Sequence, residues 1–268
     1  MIKLQHIDVK NCLTATKIPG IDFVINPYVG CPHKCAYCYA EFMKRFSNHT
    51  EPWGEFLDVK HPKAPIPVRK LGGKTILLSS VTDPYNPFEK QFNATRSLLQ
   101  ELLHAGAYVT ILTKSDLVLR DLDLLHQFPS VHVTFSINSL DDSFRKIFEP
   151  HASPIEARFE ALRILHDEGI STGVFLSPIF PGLSDFRAIL ERAKPCANEF
   201  WFENLKLRSL YRRRILEMIH RYYPHMTPLY HEIYLHKQAR EYWDQYMCDI
   251  QEWCEEEKID AKIYFGDC

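Results

Sequence analysis

Apolar positions in this chain fall in short, nearly continuous runs separated by longer amphipathic stretches. Runs at 75–81 (TILLSSV), 107–113 (AYVTILT), 131–137 (VHVTFSI), 172–177 (TGVFLS) and 199–203 (EFWFE) are rich in β-branched and aromatic residues. Such runs predict strands of a parallel sheet, buried on both faces. Between them, 93–105 carries Leu98, Leu99, Leu102 and Leu103 at helical spacing, and 116–127 carries Leu117, Leu122, Leu124 and Leu125. A further helix is predicted over 154–168: Ser153 is its N-cap, Pro154 its first residue, Glu156 closes a capping box and Gly169 stops it. The stretch 184–194 has the same character. Strand starts lie 24 to 41 residues apart, the rhythm of βαβ units. A first strand at 22–27 makes six, short of a complete eight-stranded barrel. The predicted fold is therefore α/β, a partial (β/α)6 TIM-like barrel over 21–207. A segment at 1–20 precedes it, and a helical extension at 208–268 packs on it. Helix is expected over 209–258, with a short last strand at 261–265. The Pro-rich stretch 61–68 (HPKAPIPV) reads as a surface crossover.

The 268 residues are 46% hydrophobic and 25% charged, which supports a full core, and the net charge of -2 gives no reason to expect a nucleic-acid binder. The opening MIKLQHIDVK alternates apolar and polar positions and lacks a signal-peptide core. No stretch approaches the roughly 18 apolar residues of a membrane span. A cytoplasmic protein with no membrane partner is expected. Eight cysteines (Cys12, Cys31, Cys35, Cys38, Cys196, Cys248, Cys254 and Cys268) are too few and too uneven for a disulfide scaffold. A tight group in a reducing compartment points to metal or catalysis.

That group lies in 26–40 (NPYVGCPHKCAYCYA), with spacing C-x3-C-x2-C. A structural zinc site wants four ligands, usually as two separated pairs. Here one loop supplies three thiolates and no fourth follows nearby. Three thiolates on a [4Fe–4S] cubane leave one iron open to a small molecule. The alternatives are zinc completed by His33 or a distant cysteine, and incidental buried thiols. The tight spacing, Gly30 and the aromatic before the third cysteine favour the cluster, and His33 reads as a loop hydrogen-bonder. The stretch 39–46 looks helical, so the loop wraps the cluster where a strand hands over to a helix. Cys248, Cys254 and Cys268 lack close pairing. Cys248 and Cys254 fall on different faces of a predicted helix, and read as free thiols rather than a second cluster.

The C-x3-C-x2-C loop with Tyr37 before its last cysteine resembles the signature of the radical S-adenosylmethionine (SAM) superfamily. The blocks 30–40 (GCPHKCAYCYA), 113–114, 135–139 (FSINS) and 149–161 (EPHASPIEARFEA) resemble spore photoproduct lyase and its relatives. The match spans roughly 26–181, with its blocks in the same order. Within that group, 51–60 (EPWGEFLDVK), 80–87 (SVTDPYNP), 114–124 (KSDLVLRDLDL) and 177–182 (SPIFPG) are most similar to the radical SAM mobile pair protein B family. The resemblance implies that SAM chelates the open iron and that an electron enters its sulfonium. The S–C5′ bond then breaks, and a 5′-deoxyadenosyl radical abstracts hydrogen from a substrate that is not identified. It implies an enzyme of lyase or transferase type, an external donor of flavodoxin or ferredoxin type, and a second radical SAM protein as partner.

It also implies site roles. Cys31, Cys35 and Cys38 are the cluster ligands and catalytic centre. Function collects at the carboxyl ends of barrel strands. There Ser79, Ser80, Thr82 and Asp83 match the site for the SAM amino group, with Asp83 as ammonium acceptor or, alternatively, as a turn residue before Pro84. Lys114 would reach the SAM carboxylate, and Ser136 and Asn138 the ribose or carboxylate. Arg158 suits carboxylate capture, or is a surface arginine paired with Glu156 or Glu160. Ser177 and Ile179 would lie near the adenine, flanked by Tyr37 and Tyr39, with Glu203 and Asn204 on the substrate side. One departure matters: the lyase block that matches LLSSVTDP carries a hydrogen-donating cysteine where this chain has Ser80, and a serine O–H bond is too strong for that role. Spore photoproduct lyase-like lesion repair or nucleic-acid modification is therefore the alternative, and a non-catalytic metal-binding protein the second. The segment 206–214 (KLRSLYRRR) has five Lys or Arg among nine residues. It reads as a solvated helix face before a phosphate patch. Interleaving by Tyr211, Tyr222, Tyr223 and Tyr230 keeps nucleic acid as the runner-up partner.

Overall fold

An eight-stranded sheet carries the fold, and every neighbouring pair but one runs parallel. The computed structural model describes residues 2–208, 210–236 and 239–266. Its strands are β1 (Lys3–Val9), β2 (Leu13–Ala15), β3 (Phe23–Ile25), β4 (Tyr28–Val29), β5 (Phe56–Pro62), β6 (Thr75–Leu78), β7 (Tyr108–Thr113), β8 (Val131–Ser136), β9 (Ser171–Ile179), β10 (Glu199–Asn204) and β11 (Ala261–Ile263). The main sheet has the order β11-β10-β9-β8-β7-β6-β3-β2, with β2 antiparallel to β3. The six predicted strands are β3 and β6 to β10, and the short last strand is β11, paired in parallel with β10. A second sheet, β1-β5-β4, is not foreshadowed by the apolar runs. Its β5 extends to Pro62, so the 61–68 stretch begins as strand rather than crossover.

The helices are α1 (Glu89–Phe92), α2 (Ala94–Leu102), α3 (Leu122–Leu125), α4 (Asp142–Phe148), α5 (Ile155–Asp167), α6 (Phe186–Ala193), α7 (Arg212–Tyr222), α8 (Thr227–Leu235) and α9 (Ala239–Glu256). On α2 the predicted stripe is buried at Leu98, Leu99 and Leu102. The helix expected over 116–127 is instead a 3-10 turn (Asp116–Asp121) followed by α3. The 39–46 stretch is likewise a 3-10 turn. The capping box at 153–156 does not form: α5 starts at Ile155, Ser153 bonds Asp116, and Glu156 pairs with Arg192.

Burial along the strands shows what the sheet encloses. In β7, Val109, Ile111 and Thr113 are buried, while Thr110, Leu112 and the following Lys114 face a cavity. In β10, Phe200 and Phe202 are buried, and Glu199, Trp201 and Glu203 face that cavity. Successive strand side chains point to opposite faces. One face packs on helices and the other lines a hollow, which corrects the expectation of two fully buried faces. No helix among the described residues is long and apolar enough to cross a membrane.

Candidate active site

The cysteine loop begins where β4 ends. Gly30 turns the chain at φ +89°, and a Cβ there would lie 2.4 Å from the Phe56 carbonyl oxygen. Only glycine allows that approach to β5. Cys31, Cys35 and Cys38 then line a cavity of about 810 Å³. Opposite them are the chain segments that leave the carboxyl ends of the strands: Ser79 to Asp83 after β6, Lys114 after β7, Ser136 on β8, Ser177 on β9 and Glu203 on β10.

Many bonds hold this loop. His33 Nδ1 lies 3.3 Å from Asp83 Oδ2, which makes His33 the loop hydrogen-bonder expected. Ala36 N–H donates to the Phe148 carbonyl at 2.8 Å, and the Ala36 carbonyl accepts from Arg214 Nε at 2.9 Å. The Tyr37 hydroxyl bonds Glu149, and the Tyr39 hydroxyl bonds the Ser80 carbonyl. Thr82 Oγ1 donates to the Gly30 carbonyl at 2.7 Å. Asn26 Oδ1 accepts from the Ser80 and Val81 N–H groups at 3.0 Å each, while its amide donates to Ser80 Oγ at 3.3 Å.

The cavity wall brings together most of the predicted site residues: the three cysteines, Tyr37, Tyr39, Ser80, Asp83, Lys114, Ser136 and Ser177, with Glu203 and Asn204. Three expectations are corrected. Arg158 is fully buried and spends its guanidinium on the Ser153 and Ser136 carbonyls and on Glu149, at 2.9, 2.9 and 2.5 Å. It neither lines the cavity nor pairs with Glu156 or Glu160. Asn138 also lies behind the wall, its amide donating to the Tyr37 hydroxyl at 2.9 Å. Asp83 faces the cavity, but its oxygens already accept from Thr113 Oγ1 (2.7 Å), Lys114 N–H (2.8 Å) and Tyr85 N–H (2.9 Å), beside His33. It braces the turn before Pro84 and has no free lone pair waiting for an ammonium. Burial acts to raise its pKa; His33 and the bonds from His33, Lys114 and Thr113 outweigh that and hold it at about 2.

Burial pushes all three thiols up: Cys31 to about 12, with Asp83 and Cys38 adding to the rise, and Cys35 and Cys38 also above the ordinary value. A thiol becomes a metal ligand as thiolate, so this pocket suits thiolates held by a bound cationic group. Two further features fit such a group. Ser79 Oγ is buried on the wall with no partner among the described residues. The Lys114 ammonium, 5.8 Å from the Tyr37 ring centroid, forms no ion pair with any of the described residues. The donor set thus matches a cluster together with a small molecule that carries a carboxylate and hydroxyls. Among the described residues no three His, Cys, Asp or Glu side chains converge on a single metal ion.

The basic stretch is mostly committed elsewhere. Lys206 pairs with Glu203, Arg213 with Glu217, and Arg214 with Glu41; Arg212 bonds the Tyr234 carbonyl. Tyr211 and Tyr230 are buried, so they offer no stacking faces. Cys254 is buried and Cys248 exposed, on separate faces of α9 as expected; Cys268 lies outside the described residues.

A hollow parallel barrel with three thiols at the carboxyl ends of its strands defines a cofactor-using α/β enzyme class. Comparison with known proteins gives the family: the Radical SAM superfamily profile matches residues 25–193. An uncharacterised protein of Methanocaldococcus jannaschii is 40% identical over 208 residues, 78% of this chain and 80% of the relative. A spore photoproduct lyase variant aligns at TM-score 0.64 and 18% identity, over 98% of this chain and 82% of that one. Another, solved with bound SAM and dinucleoside spore photoproduct, aligns at TM-score 0.57 and 18% identity, over 82% and 66%. Identities this low speak for the fold alone. The chain belongs to the radical SAM superfamily, whose members use a [4Fe–4S] cluster and SAM.

Proposed function

We propose that this protein is a radical SAM enzyme whose cluster is held by Cys31, Cys35 and Cys38. The observation that carries this reading is the meeting, in one cavity, of three thiols from one loop with a Lys114 that has no ion pair and a Ser79 hydroxyl that has no partner among the described residues. When bound, the cluster and SAM supply reductive S–C5′ cleavage and hydrogen-atom abstraction from a substrate. The chain's own residues bind and orient. Lys114 would attract the SAM carboxylate as a point charge. Ser79, Ser136 and Ser177 offer hydroxyls to its polar edges. Tyr37 and Tyr39 present aromatic faces beside the third cysteine. Glu203 accepts from Ser177 Oγ at 2.7 Å and from Lys206 at 3.1 Å; it stands on the substrate side. Water exclusion falls to the wall itself, since Ser136 and Tyr37 are buried.

The substrate is not a nucleic-acid lesion in first place, because Ser80 stands where the lyase pattern has its hydrogen-donating cysteine. The fold shared with spore photoproduct lyase keeps nucleic acid as the runner-up. The division into 1–20, 21–207 and 208–268, the cytoplasmic site, a flavodoxin- or ferredoxin-type donor and a second radical SAM protein as partner belong to the same proposal.

The test uses anaerobically reconstituted protein: iron and sulfide content, then 5′-deoxyadenosine formed from SAM with dithionite. Four irons per chain and deoxyadenosine formation are expected, both lost in Cys31→Ala, Cys35→Ala or Cys38→Ala. Zinc in place of iron, or a reduced cluster that leaves SAM intact, would overturn the proposal.

A further inference from the structure

Behind the cysteine loop sits a tryptophan whose indole N–H meets no acceptor among the described residues. Trp53 is 6% exposed, and its Nε1 has no partner among the described residues. Its ring forms one apolar cluster with Cys31, Ala40 and Phe56, packed against Cys38. An N–H buried without an acceptor costs about 1–3 kcal/mol. A fold that keeps one beside a ligand cysteine has an acceptor to offer it. The pocket makes that acceptor a sulfur. A neutral thiol accepts weakly, whereas bonds to an ionised acceptor are roughly twice as strong as neutral ones.

The ring is fixed in place. It meets Phe56 edge-on, with centroids 5.7 Å apart at 86°. Phe56 in turn stacks on His49 at 3.9 Å, and His49 is held by Asp58 at 2.7 Å. The next residue, Gly54, has φ +88°, and a Cβ there would sit 2.8 Å from Lys34 Cγ. The Trp53 turn is therefore pressed onto the cysteine loop at Lys34 as closely as glycine permits.

We infer that Trp53 is a positioning residue that donates its indole N–H to the Cys38 sulfur and thereby raises the reduction potential of the cluster. This rests on the cluster reading above. Hydrogen bonds to sulfur are among the terms that set iron–sulfur potentials. A donor stabilises the more negative, one-electron-reduced state, so removing it must lower the potential.

The measurement is an EPR-monitored redox titration of reconstituted wild type and Trp53→Phe, which keeps a ring and removes the N–H. The expected result is a lower midpoint, equivalent to an equilibrium constant for one-electron reduction about tenfold smaller, or 59 mV. An unchanged midpoint overturns the inference. So does a higher one, which is what loosened packing and water entry would give. The second measurement needs no variant to fold: wild type carrying 15N-labelled tryptophan should show a 15N coupling to the reduced cluster in pulsed EPR. A loaded wild type without that coupling overturns this inference alone. A wild type that takes up no iron overturns the cluster reading along with it.

Discussion

Two buried carboxylates grip the cysteine loop, and they do so by opposite means. Asp83 holds its first half through His33, between Cys31 and Cys35; Glu149 holds its second half through Tyr37, between Cys35 and Cys38. Asp83 spreads its charge over two backbone N–H groups, a hydroxyl and an imidazole, and it borders the cavity. Glu149 is 1% exposed and faces a full guanidinium, Arg158, which is itself completely buried. Burial would raise the Glu149 pKa, but Arg158, Lys114 and Tyr37 together bring it below the usual range. The difference teaches where each can be altered. A charge shared among dipoles loses one bond at a time. A buried ion pair that loses one partner strands the other.

The largest expected effect follows from that. Arg158→Met should cost about 3–5 kcal/mol of stability, because it leaves Glu149 charged and unpaired in the interior. Urea unfolding reads it directly. The double variant Arg158→Met/Glu149→Met, which removes both charges, should recover much of the loss. A single variant within about 1 kcal/mol of wild type would erase the distinction between the two carboxylates.

Asp83→Asn should cost less, about 1–3 kcal/mol, since the amide keeps one acceptor oxygen and loses the other. Its pH dependence sharpens the contrast. The Asp83 pKa is about 2 in the folded protein against an ordinary 3.8. A depressed folded pKa contributes stability that is complete above the ordinary value and is lost as pH falls through the folded one. The gap between wild type and Asp83→Asn should therefore be flat above about pH 4 and close between about pH 4 and 2. Unfolding free energies measured across that range would show it. A gap that widens on acidification would mean that the His33 contact does not depress this carboxyl.

The sequence revealed these two grips unevenly, for physical reasons. Six strands and the cysteine loop were legible because apolar runs and ligand spacing are local. Lys114, Ser136 and Ser177 line one cavity wall because strand ends in a parallel sheet share one face. Side-chain direction was not legible. Arg158 and Asn138 carry suitable chemistry, yet point behind the wall toward Glu149 and Tyr37. Asp83 lies where expected, but its lone pairs go to Thr113, Lys114 and Tyr85. Arg214, which bonds the Ala36 carbonyl, sits 178 residues further along inside a run that reads as a solvated face; nothing local distinguishes it. The β1-β5-β4 sheet escaped because its N-terminal strand is largely exposed, so its pairing leaves little apolar signature.

The smallest effect sits two residues from the largest. Glu156 and Arg158 both begin α5, and both form ion pairs with the other charge outside the helix. Glu156 bonds Arg192 at 2.5 and 2.7 Å, a tighter geometry than many buried pairs, yet its side chain is 73% exposed. Water solvates either partner almost as well as the other does, so Glu156→Gln should change stability by less than about 1 kcal/mol. What it does cost should shrink further as salt screens the pair. Thermal unfolding of Glu156→Gln and Arg158→Met side by side, at low and high salt, separates the two cases. The exposed pair should give a small, salt-sensitive shift and the buried one a large shift that salt barely moves. Equal costs would mean that distance rather than burial sets the worth of ion pairs on this helix, and the contrast between Asp83 and Glu149 would fall with it.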